Sequence, residues 1–134
     1  MSRYHMFYAT LAAQYSTCDR ANVGAVIVKH DKVISYGYNH NLPGLNNCNE
    51  QEHLLIDNHC VNTIHAEQDA ILYCARMGIS TKDAEIYVTH FPCLNCTKAI
   101  IAAGITKVYF KYKYRVDHLA VQLLLDNNIQ FREV

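Results

Sequence analysis

A histidine-alanine-glutamate triplet and a later cysteine pair constrain this chain more than any other feature. His65-Ala66-Glu67 is followed, further along the chain, by Pro92-Cys93-Leu94-Asn95-Cys96. Together the two segments supply one imidazole, two thiols and one carboxylate. An imidazole and two thiolates are sufficient to hold a catalytic zinc with three protein ligands and a fourth position for water. The fold must therefore bring two separate segments to one point.

The carboxylate separates a catalytic metal site from a structural one. A C-x-x-C pair alone is weakly diagnostic, because it also occurs in redox proteins and in structural zinc sites. A closed structural site would need a fourth ligand close by and would leave Glu67 without a task. In a catalytic site the pKa of the bound water falls to roughly 7 from about 15.7, and a free carboxylate can shuttle its protons. The residue types favour a hydrolytic site with His65, Cys93 and Cys96 as ligands.

The cysteine pair lies at the beginning of a predicted helix. The residues from Cys93 to Ala103, with Pro92 in the first turn and Gly104 just past the end, have the proline and glycine placement typical of a helix. Cys93 and Cys96 would then lie one turn apart on one face. The positive end of the helix lowers the pKa of nearby thiols, which favours metal-binding thiolates.

A second helix is predicted from about His65 to Met77. Its apolar stripe consists of Ala70, Ile71, Cys74 and Ala75, so Cys74 is expected in the core. His65 and Glu67 are separated by roughly 200° around such a helix. Both side chains can therefore approach one metal only if it lies beyond the N-terminal end of the helix.

Composition excludes several broad classes of protein. With 134 residues, of which 51% are apolar, the chain fits one domain, over residues 1–134, that buries about two thirds of its unfolded surface. Twelve basic and twelve acidic residues balance, and Lys111, Lys113 and Arg115 are too short a run to indicate nucleic-acid binding. Met1–Cys18 lacks the apolar core of a signal peptide and the length of a membrane span. We therefore expect no membrane association, a cytoplasmic location and reduced cysteines.

The order of the predicted elements indicates the fold class. A hairpin followed by strand-helix-strand alternation predicts an α/β three-layer sandwich around a mixed sheet of about five strands. The long insert over Asn39–Asn62 is of a kind that is usually functional, and a short helix is predicted around Glu52–Ile56. The other predicted elements are a helix over Met1–Ser16, strands over Val23–Val28 and Val33–Tyr38, a strand over Ala84–Thr89, a strand over Lys107–Lys111, a helix around Val116–Leu124 and a strand over Ile129–Val134.

The H-x-E and P-C-x-x-C signature is common to zinc-dependent nucleobase deaminases. Further segments extend the pattern: Ser16–Arg20, Val23–Val28, Gly37–Asn39, Cys60–Glu67 and Gly104-Ile105. The whole pattern resembles the deoxycytidylate (dCMP) deaminase family, and within it the short bacterial members of late-competence-operon type. Gly37–Asn39 and the Cys18/Cys48 pair are the features that narrow the resemblance to this family. The resemblance implies a cytidine-deaminase-like fold and hydrolysis of dCMP to dUMP and ammonia, which feeds thymidylate synthesis. It also implies a homo-oligomer, often a hexamer.

The resemblance also implies roles for individual residues. The three zinc ligands match the family's catalytic ligands, and Glu67 matches its proton shuttle. Asn39 matches an asparagine that binds the sugar, and Ala66 is expected at the substrate with its neighbours. Arg20 lies where a phosphate-binding residue would be useful, and Tyr114 resembles a tyrosine near the nucleotide. The alternatives are an ordinary surface cation for Arg20 and a half-buried packing residue for Tyr114.

A second cluster of cysteines and histidines lies between the first helix and the end of the insert. Some family members hold a structural zinc that ties these segments together, and Cys18 and Cys48 match the positions involved. With His53 and Cys60, or with His59 as the substitute, they would complete a second, structural zinc site. The alternative is scattered, partly buried thiols.

One position departs from the family pattern. Members often read Gly-Tyr-Asn-Gly, and His40 replaces the second glycine here. That segment has been linked to the effectors dCTP and dTTP, which would bring Mg²⁺ with the triphosphate. The histidine either adds a switchable charge near the triphosphate or fills the effector pocket. The sequence therefore leaves both possibilities for regulation by dCTP and dTTP.

Two other functions compete with dCMP deamination. The first is deamination of guanine, free cytosine or adenosine in tRNA, although the absence of a basic tail argues against tRNA. The second is a non-catalytic zinc scaffold in DNA uptake, against which the intact Glu67 argues. We expect the substrate to be a free nucleotide, with no nucleic-acid partner.

Overall fold

A computed structural model describes residues 2–16, 21–42, 55–56, 59–60 and 63–134 of the chain. The helices are α1 (Ser2–Ala13), α2 (Ala66–Met77), α3 (Leu94–Ala102) and α4 (His118–Asp126). The strands are β1 (Gly24–Lys29), β2 (Lys32–Tyr38), β3 (His40–Asn41), β4 (Leu55–Ile56), β5 (His59–Cys60), β6 (Thr63–Ile64), β7 (Glu85–His90), β8 (Lys107–Tyr112) and β9 (Gln130–Glu133).

A five-stranded mixed sheet forms the centre of the fold, in the order β2-β1-β7-β8-β9. Strand β1 is antiparallel to both β2 and β7, whereas β7, β8 and β9 are parallel to one another. The hairpin between β1 and β2 turns at His30 and Asp31, which both have positive φ. The predicted mixed sheet of about five strands is confirmed.

Helices cover both faces of this sheet. Side chains alternate along β1, so that Val26 and Val28 pack with α1 while Ala25 and Ile27 join the larger core with α2, α3 and α4. Cys74 lies in that larger core, as its place on the apolar stripe predicts. The architecture is the predicted three-layer α/β/α sandwich.

The beginning of α2 lies unusually close to the end of β2. A Cβ added to Gly37 would collide with the carbonyl oxygen of Ala66 and lie 2.6 Å from the backbone nitrogen of Ala70. Asp69 of α2 accepts a hydrogen bond from the backbone N–H of Tyr38 at 3.2 Å. These contacts fix the first turn of α2, and with it His65 and Glu67, against the sheet.

Some element boundaries differ from the predictions. Leu55 and Ile56 form a short strand paired with β5, so the helix predicted around Glu52–Ile56 is wrong at these two residues, and the rest of it lies outside the described residues. Val116 precedes α4 rather than belonging to it, because Asp117 caps the helix by accepting from the backbone N–H of Leu119. In the described part of the chain, no helix is both long and apolar enough to cross a membrane.

Candidate active site

His65 lies at the junction between strand β6 and helix α2. The β3–β6 pairing, which places His40 opposite Ile64, leads the chain directly into this residue. His65 has an extended backbone, with φ of −76° and ψ of 154°, and is the N-cap of α2. The Gln68 side chain accepts from the backbone N–H of His65 at 3.0 Å, which is the glutamine half of a capping box. The imidazole therefore projects beyond the helix end, as the spacing of His65 and Glu67 requires.

The cysteine pair lies at the N-terminus of α3, immediately after β7. Cys93 is the N-cap residue, with an extended ψ of 171°, and its sulfur accepts from the backbone N–H of Cys96 at 3.4 Å. The helix thus begins at Leu94, and the prediction that Pro92 lies in its first turn is wrong. The physical reason is that the cysteine sulfur itself serves as the capping acceptor. Gly104 lies just past the helix end with φ of 82°.

These two helix ends bring the three predicted ligands together. The Nδ1 atom of His65 lies 3.2 Å from the Cys96 sulfur and 3.6 Å from the Cys93 sulfur. All three ligand atoms lie within 4.8 Å of one another. A tetrahedral zinc with ordinary bond lengths separates a nitrogen and a sulfur ligand by about 3.5 Å. The donor set and its spacing therefore fit a zinc ion.

Glu67 lies beside these ligands in the first turn of α2 and is 4% exposed. Burial raises the pKa of its carboxyl group from 4.5 to about 7. At neutral pH this group can therefore either hold or release a proton with little free-energy cost. A buried carboxyl group poised in this way suits a proton shuttle rather than a structural ion pair.

The thiols differ in their protonation. Hydrogen bonds from the Cys96 thiol, from His65 and from the Cys96 backbone lower the pKa of Cys93 to about 4. The same Cys96–Cys93 hydrogen bond, together with burial, raises the pKa of Cys96, and hydrogen bonding to Cys93 raises the pKa of His65. The pKa of Cys93 is lowered as predicted, but mainly by the Cys96 thiol rather than by the helix end, and the lowering predicted for Cys96 is wrong in the metal-free protein. A metal must displace the proton of Cys96 when it binds.

Two predicted substrate contacts have well-defined surroundings. Asn39 is buried, and its side chain accepts from Val23 N at 2.9 Å and donates to Ala21 O at 2.6 Å. It thus orients the chain just before β1. Tyr114 is 41% exposed and lies edge-on to His90, with ring centroids 5.3 Å apart.

The remaining predicted contact residues are either buried or lie largely outside the described part of the chain. Ala66 is fully buried at the first position of α2. Arg20 and the predicted second-zinc residues Cys18, Cys48 and His53 lie outside the described residues, and only the backbone of Cys60 is described, within β5.

Two pairs of polar residues near the site are not predicted by the sequence. One joins His40 to Asp69, with 3.2 Å between His40 Nε2 and Asp69 Oδ1. The other joins Thr89 to His90, with 2.8 Å between Oγ1 and Nδ1. In the sequence, His40 is recognisable only as a departure from the Gly-Tyr-Asn-Gly pattern. The adjacent Thr89-His90 pair carried a weaker signal, a histidine three positions before a proposed ligand.

A buried carboxylate beside one histidine and two cysteines, held at two helix N-termini, is the arrangement of zinc-dependent nucleobase deaminases. Comparison with known proteins places the chain within this class. The family model for the cytidine and deoxycytidylate deaminase zinc-binding region matches residues 1–112. The chain therefore belongs to the cytidine and deoxycytidylate deaminase family.

Individual relatives cover most of this chain. ComE operon protein 2 of Bacillus subtilis is 43% identical over 133 residues, 99% of this chain and 70% of that protein. Deoxycytidylate deaminase of Saccharomyces cerevisiae is 33% identical over 97% of this chain, which spans 43% of the yeast enzyme. The crystal structure of dCMP deaminase from cyanophage S-TIM5, in complex with dCMP and dUMP, has a TM-score of 0.86 and 32% identity. That match covers 98% of this chain and 95% of the phage chain.

Proposed function

We propose that this protein catalyses the hydrolytic deamination of dCMP to dUMP and ammonia. The observation that carries the proposal is the buried Glu67 carboxyl group beside the convergent His65, Cys93 and Cys96 atoms. The likeness to dCMP deaminases supports the choice of substrate. The product would feed thymidylate synthesis.

The ligands and the carboxylate have separate tasks in this proposal. His65, Cys93 and Cys96 would hold zinc, which when bound would supply an activated water at neutral pH. Glu67 takes a proton from the attacking water and delivers it to the ring nitrogen next to the amino-bearing carbon. It then carries the proton of the added hydroxyl group to the amino group, so that the carbon–nitrogen bond breaks and water and the amino base yield a keto base and ammonia.

Several further assignments belong to the same proposal. Asn39 would bind the sugar, Arg20 the phosphate, and Ala66 and Tyr114 would line the nucleotide. Cys18, Cys48, His53 and Cys60 would hold a second, structural zinc. We propose a homo-oligomer, with a hexamer as the form to test, and a cytoplasmic enzyme, since thiolate ligands require reducing conditions. Regulation by dCTP or dTTP, with Mg²⁺, stays a hypothesis to test at His40.

The experiment is a substrate panel with ammonia release as the readout. Zinc-loaded protein is incubated separately with dCMP, CMP, deoxycytidine, cytosine and guanine, with and without dCTP. Rapid turnover of dCMP alone supports the proposal. Activity only on another base would support the zinc chemistry and refute dCMP as the substrate. No activity on any of these compounds would favour a non-catalytic zinc scaffold.

A further inference from the structure

An open cleft lies at the carboxyl ends of the parallel strands β7, β8 and β9. Its volume is about 460 Å³, and it is lined by His90, Lys111, Tyr112, Lys113, Tyr114 and Glu133. The chain runs from His90 through Phe91 and Pro92 to Cys93, the N-cap of α3. The backbone N–H of Phe91 donates to Tyr112 O at 2.9 Å, which fixes this connection to the cleft wall. The cleft and the zinc ligands therefore share one edge of the sheet, the edge where ligands bind in α/β folds.

Hydrogen bonding determines which ring nitrogen of His90 carries the proton. The Thr89 hydroxyl is buried, and its oxygen accepts from the backbone N–H of Gly24 at 3.1 Å. Its single hydrogen has one partner among the described residues, His90 Nδ1 at 2.8 Å. If Nδ1 carried the proton instead, that buried hydroxyl hydrogen would be left unpaired. Nδ1 is therefore the acceptor, and the neutral ring carries its proton on Nε2.

Two further observations support a neutral, oriented imidazole. Burial lowers the pKa of His90 below its usual value of 6.5, so the ring is uncharged at neutral pH. The rings of Tyr112 and Tyr114 lie 5.2 Å and 5.3 Å from it and hold its plane. No described residue forms a hydrogen bond with Nε2, and His90 lines the cleft. The Nε2–H group is thus a preorganised donor without a protein acceptor in the described chain.

The charged groups around the cleft favour an anionic ligand. Lys111 lies over the Tyr112 ring, 5.4 Å from its centroid, and Lys113 pairs with Glu133 at 3.5 Å. Arg115 lies over the Tyr114 ring at 5.2 Å. The lining itself has two lysines and one carboxylate, and Arg115 adds a third cation beside Tyr114, so the surface around the neutral N–H donor has a net positive charge. A phosphate monoester offers only acceptor oxygens at neutral pH and matches this surface.

We propose that the His90 Nε2–H donates a hydrogen bond to the phosphate of the nucleotide substrate and helps to select the monophosphate over the nucleoside. This inference rests on the proposed function, because it assumes that the base reaches Glu67 while the phosphate lies in the cleft. Arg20, proposed above for the same phosphate, lies outside the described residues and supplies no part of this evidence. His90 would then be a specificity-determining residue.

Binding of the product tests this proposal independently of turnover. The affinities of zinc-loaded wild type, His90→Phe and His90→Gln for dUMP and for deoxyuridine are measured by calorimetry, with zinc content and ammonia release recorded alongside. His90→Phe should lose about tenfold in dUMP affinity, with deoxyuridine affinity and zinc content unchanged. His90→Gln should recover most of the loss, because its amide can accept from Thr89 and donate into the cleft. His118→Phe, an exposed histidine at the start of α4, is the matched control.

The possible outcomes separate this inference from the proposed function. Unchanged dUMP affinity in His90→Phe, or equal losses for dUMP and deoxyuridine, would overturn the phosphate contact even if wild type deaminates dCMP. Wild type that turns over another base but not dCMP would refute the proposed function instead.

If His90→Phe does not fold, long-range ¹H–¹⁵N spectra of wild type show which ring nitrogen of His90 carries the proton. A proton on Nε2, and a larger shift with dUMP than with deoxyuridine, supports the contact, whereas a proton on Nδ1 overturns it.

Discussion

At the scale of single residues, burial rather than residue type gives Glu67 its chemistry. Glu85 and Glu133, the other glutamates among the described residues, pair with lysines. Glu67 is instead buried at a helix N-terminus beside two sulfurs, and burial is the main cause of its raised pKa. The same physical effect gives His90 a neutral ring. Proposed roles for both residues therefore depend on where the fold places them.

Replacing Glu67 by glutamine tests its proposed role as the proton shuttle. Glu67→Gln should lower kcat for dCMP by at least about a hundredfold, because a positioned acid-base group contributes that much. Zinc content, measured by atomic absorption, should stay near that of wild type, whereas His65→Ala should lose zinc. Glu85→Gln, which alters an ion pair with Lys107 on the sheet, is the control and should keep its activity. Retained activity in Glu67→Gln would refute the mechanism.

The same residue should make the stability of the metal-free protein depend on pH. Between the unfolded pKa near 4.5 and the folded value of about 7, the folded state binds more protons than the unfolded state. The free energy of unfolding should therefore fall as pH rises through this window, relative to Glu67→Gln, by up to about 3 kcal/mol. Urea denaturation of both chelator-treated proteins from pH 4 to 8 measures the difference. A constant difference would show that Glu67 titrates normally.

At the scale of elements, Asp69 connects α2 to the end of β2 and to β3. One carboxylate oxygen accepts from the backbone N–H of Tyr38, and the other lies 3.2 Å from His40 Nε2. Strand β3 pairs with β6, which leads into His65. The Asp69 carboxylate therefore contacts segments on both sides of this zinc ligand, and these contacts are called the Asp69 brace. The brace would help to fix the orientation of the His65 side chain.

Removing the Asp69 carboxylate should weaken this brace. Asp69→Ala should lower the free energy of unfolding by about 1–2 kcal/mol, because it leaves the Tyr38 N–H without its acceptor. Asp69→Asn, which retains an acceptor oxygen, should lose less. Chemical denaturation of the zinc-loaded proteins measures both effects. Asp126→Ala, which removes an exposed hydrogen bond to Gln122, serves as the control and should change stability by less than about 0.5 kcal/mol.

At the scale of the whole molecule, the zinc ligands tie separate elements together. His65 caps α2 and Cys93 caps α3, and the two helices pack on the same face of the sheet. A metal bound there adds a link between segments that are otherwise joined through side-chain packing. Metal binding should therefore stabilise the folded state by mass action.

Metal analysis tests both proposed zinc sites at this scale. We expect two zinc ions per chain in wild type, one in Cys93→Ala and one in Cys48→Ala, measured after gentle purification. The Cys93→Ala protein should also unfold at a lower temperature than wild type, because it lacks the link between α2 and α3. Cys74→Ala, which removes a buried core thiol, should keep both ions and controls for general destabilisation. One ion per wild-type chain would refute the second site.

The sequence by itself determined the local structure and the chemical class of the site. Apolar periodicity predicted α2 and α4, and Pro92 with Gly104 predicted α3 although not its first residue, because these signals depend on residues within a few positions of one another. The residue types in His65–Glu67 and Pro92–Cys96 predicted zinc chemistry because ligand preference is a property of each side chain. The long insert offered no such periodicity, and its predicted helix was wrong where it is described.

Only the tertiary structure decided the quantities that depend on distant segments. The approach of His65 Nδ1 to both sulfurs requires β6, α2 and α3 to meet, and the pKa of Glu67 depends on the core that buries it. The proton position on His90 follows from a hydrogen bond between Gly24 and Thr89, on neighbouring strands of the sheet. The burial of a side chain and its hydrogen-bond partners are set by residues far apart in the chain. The spacing of neighbouring residues in the sequence therefore cannot predict them.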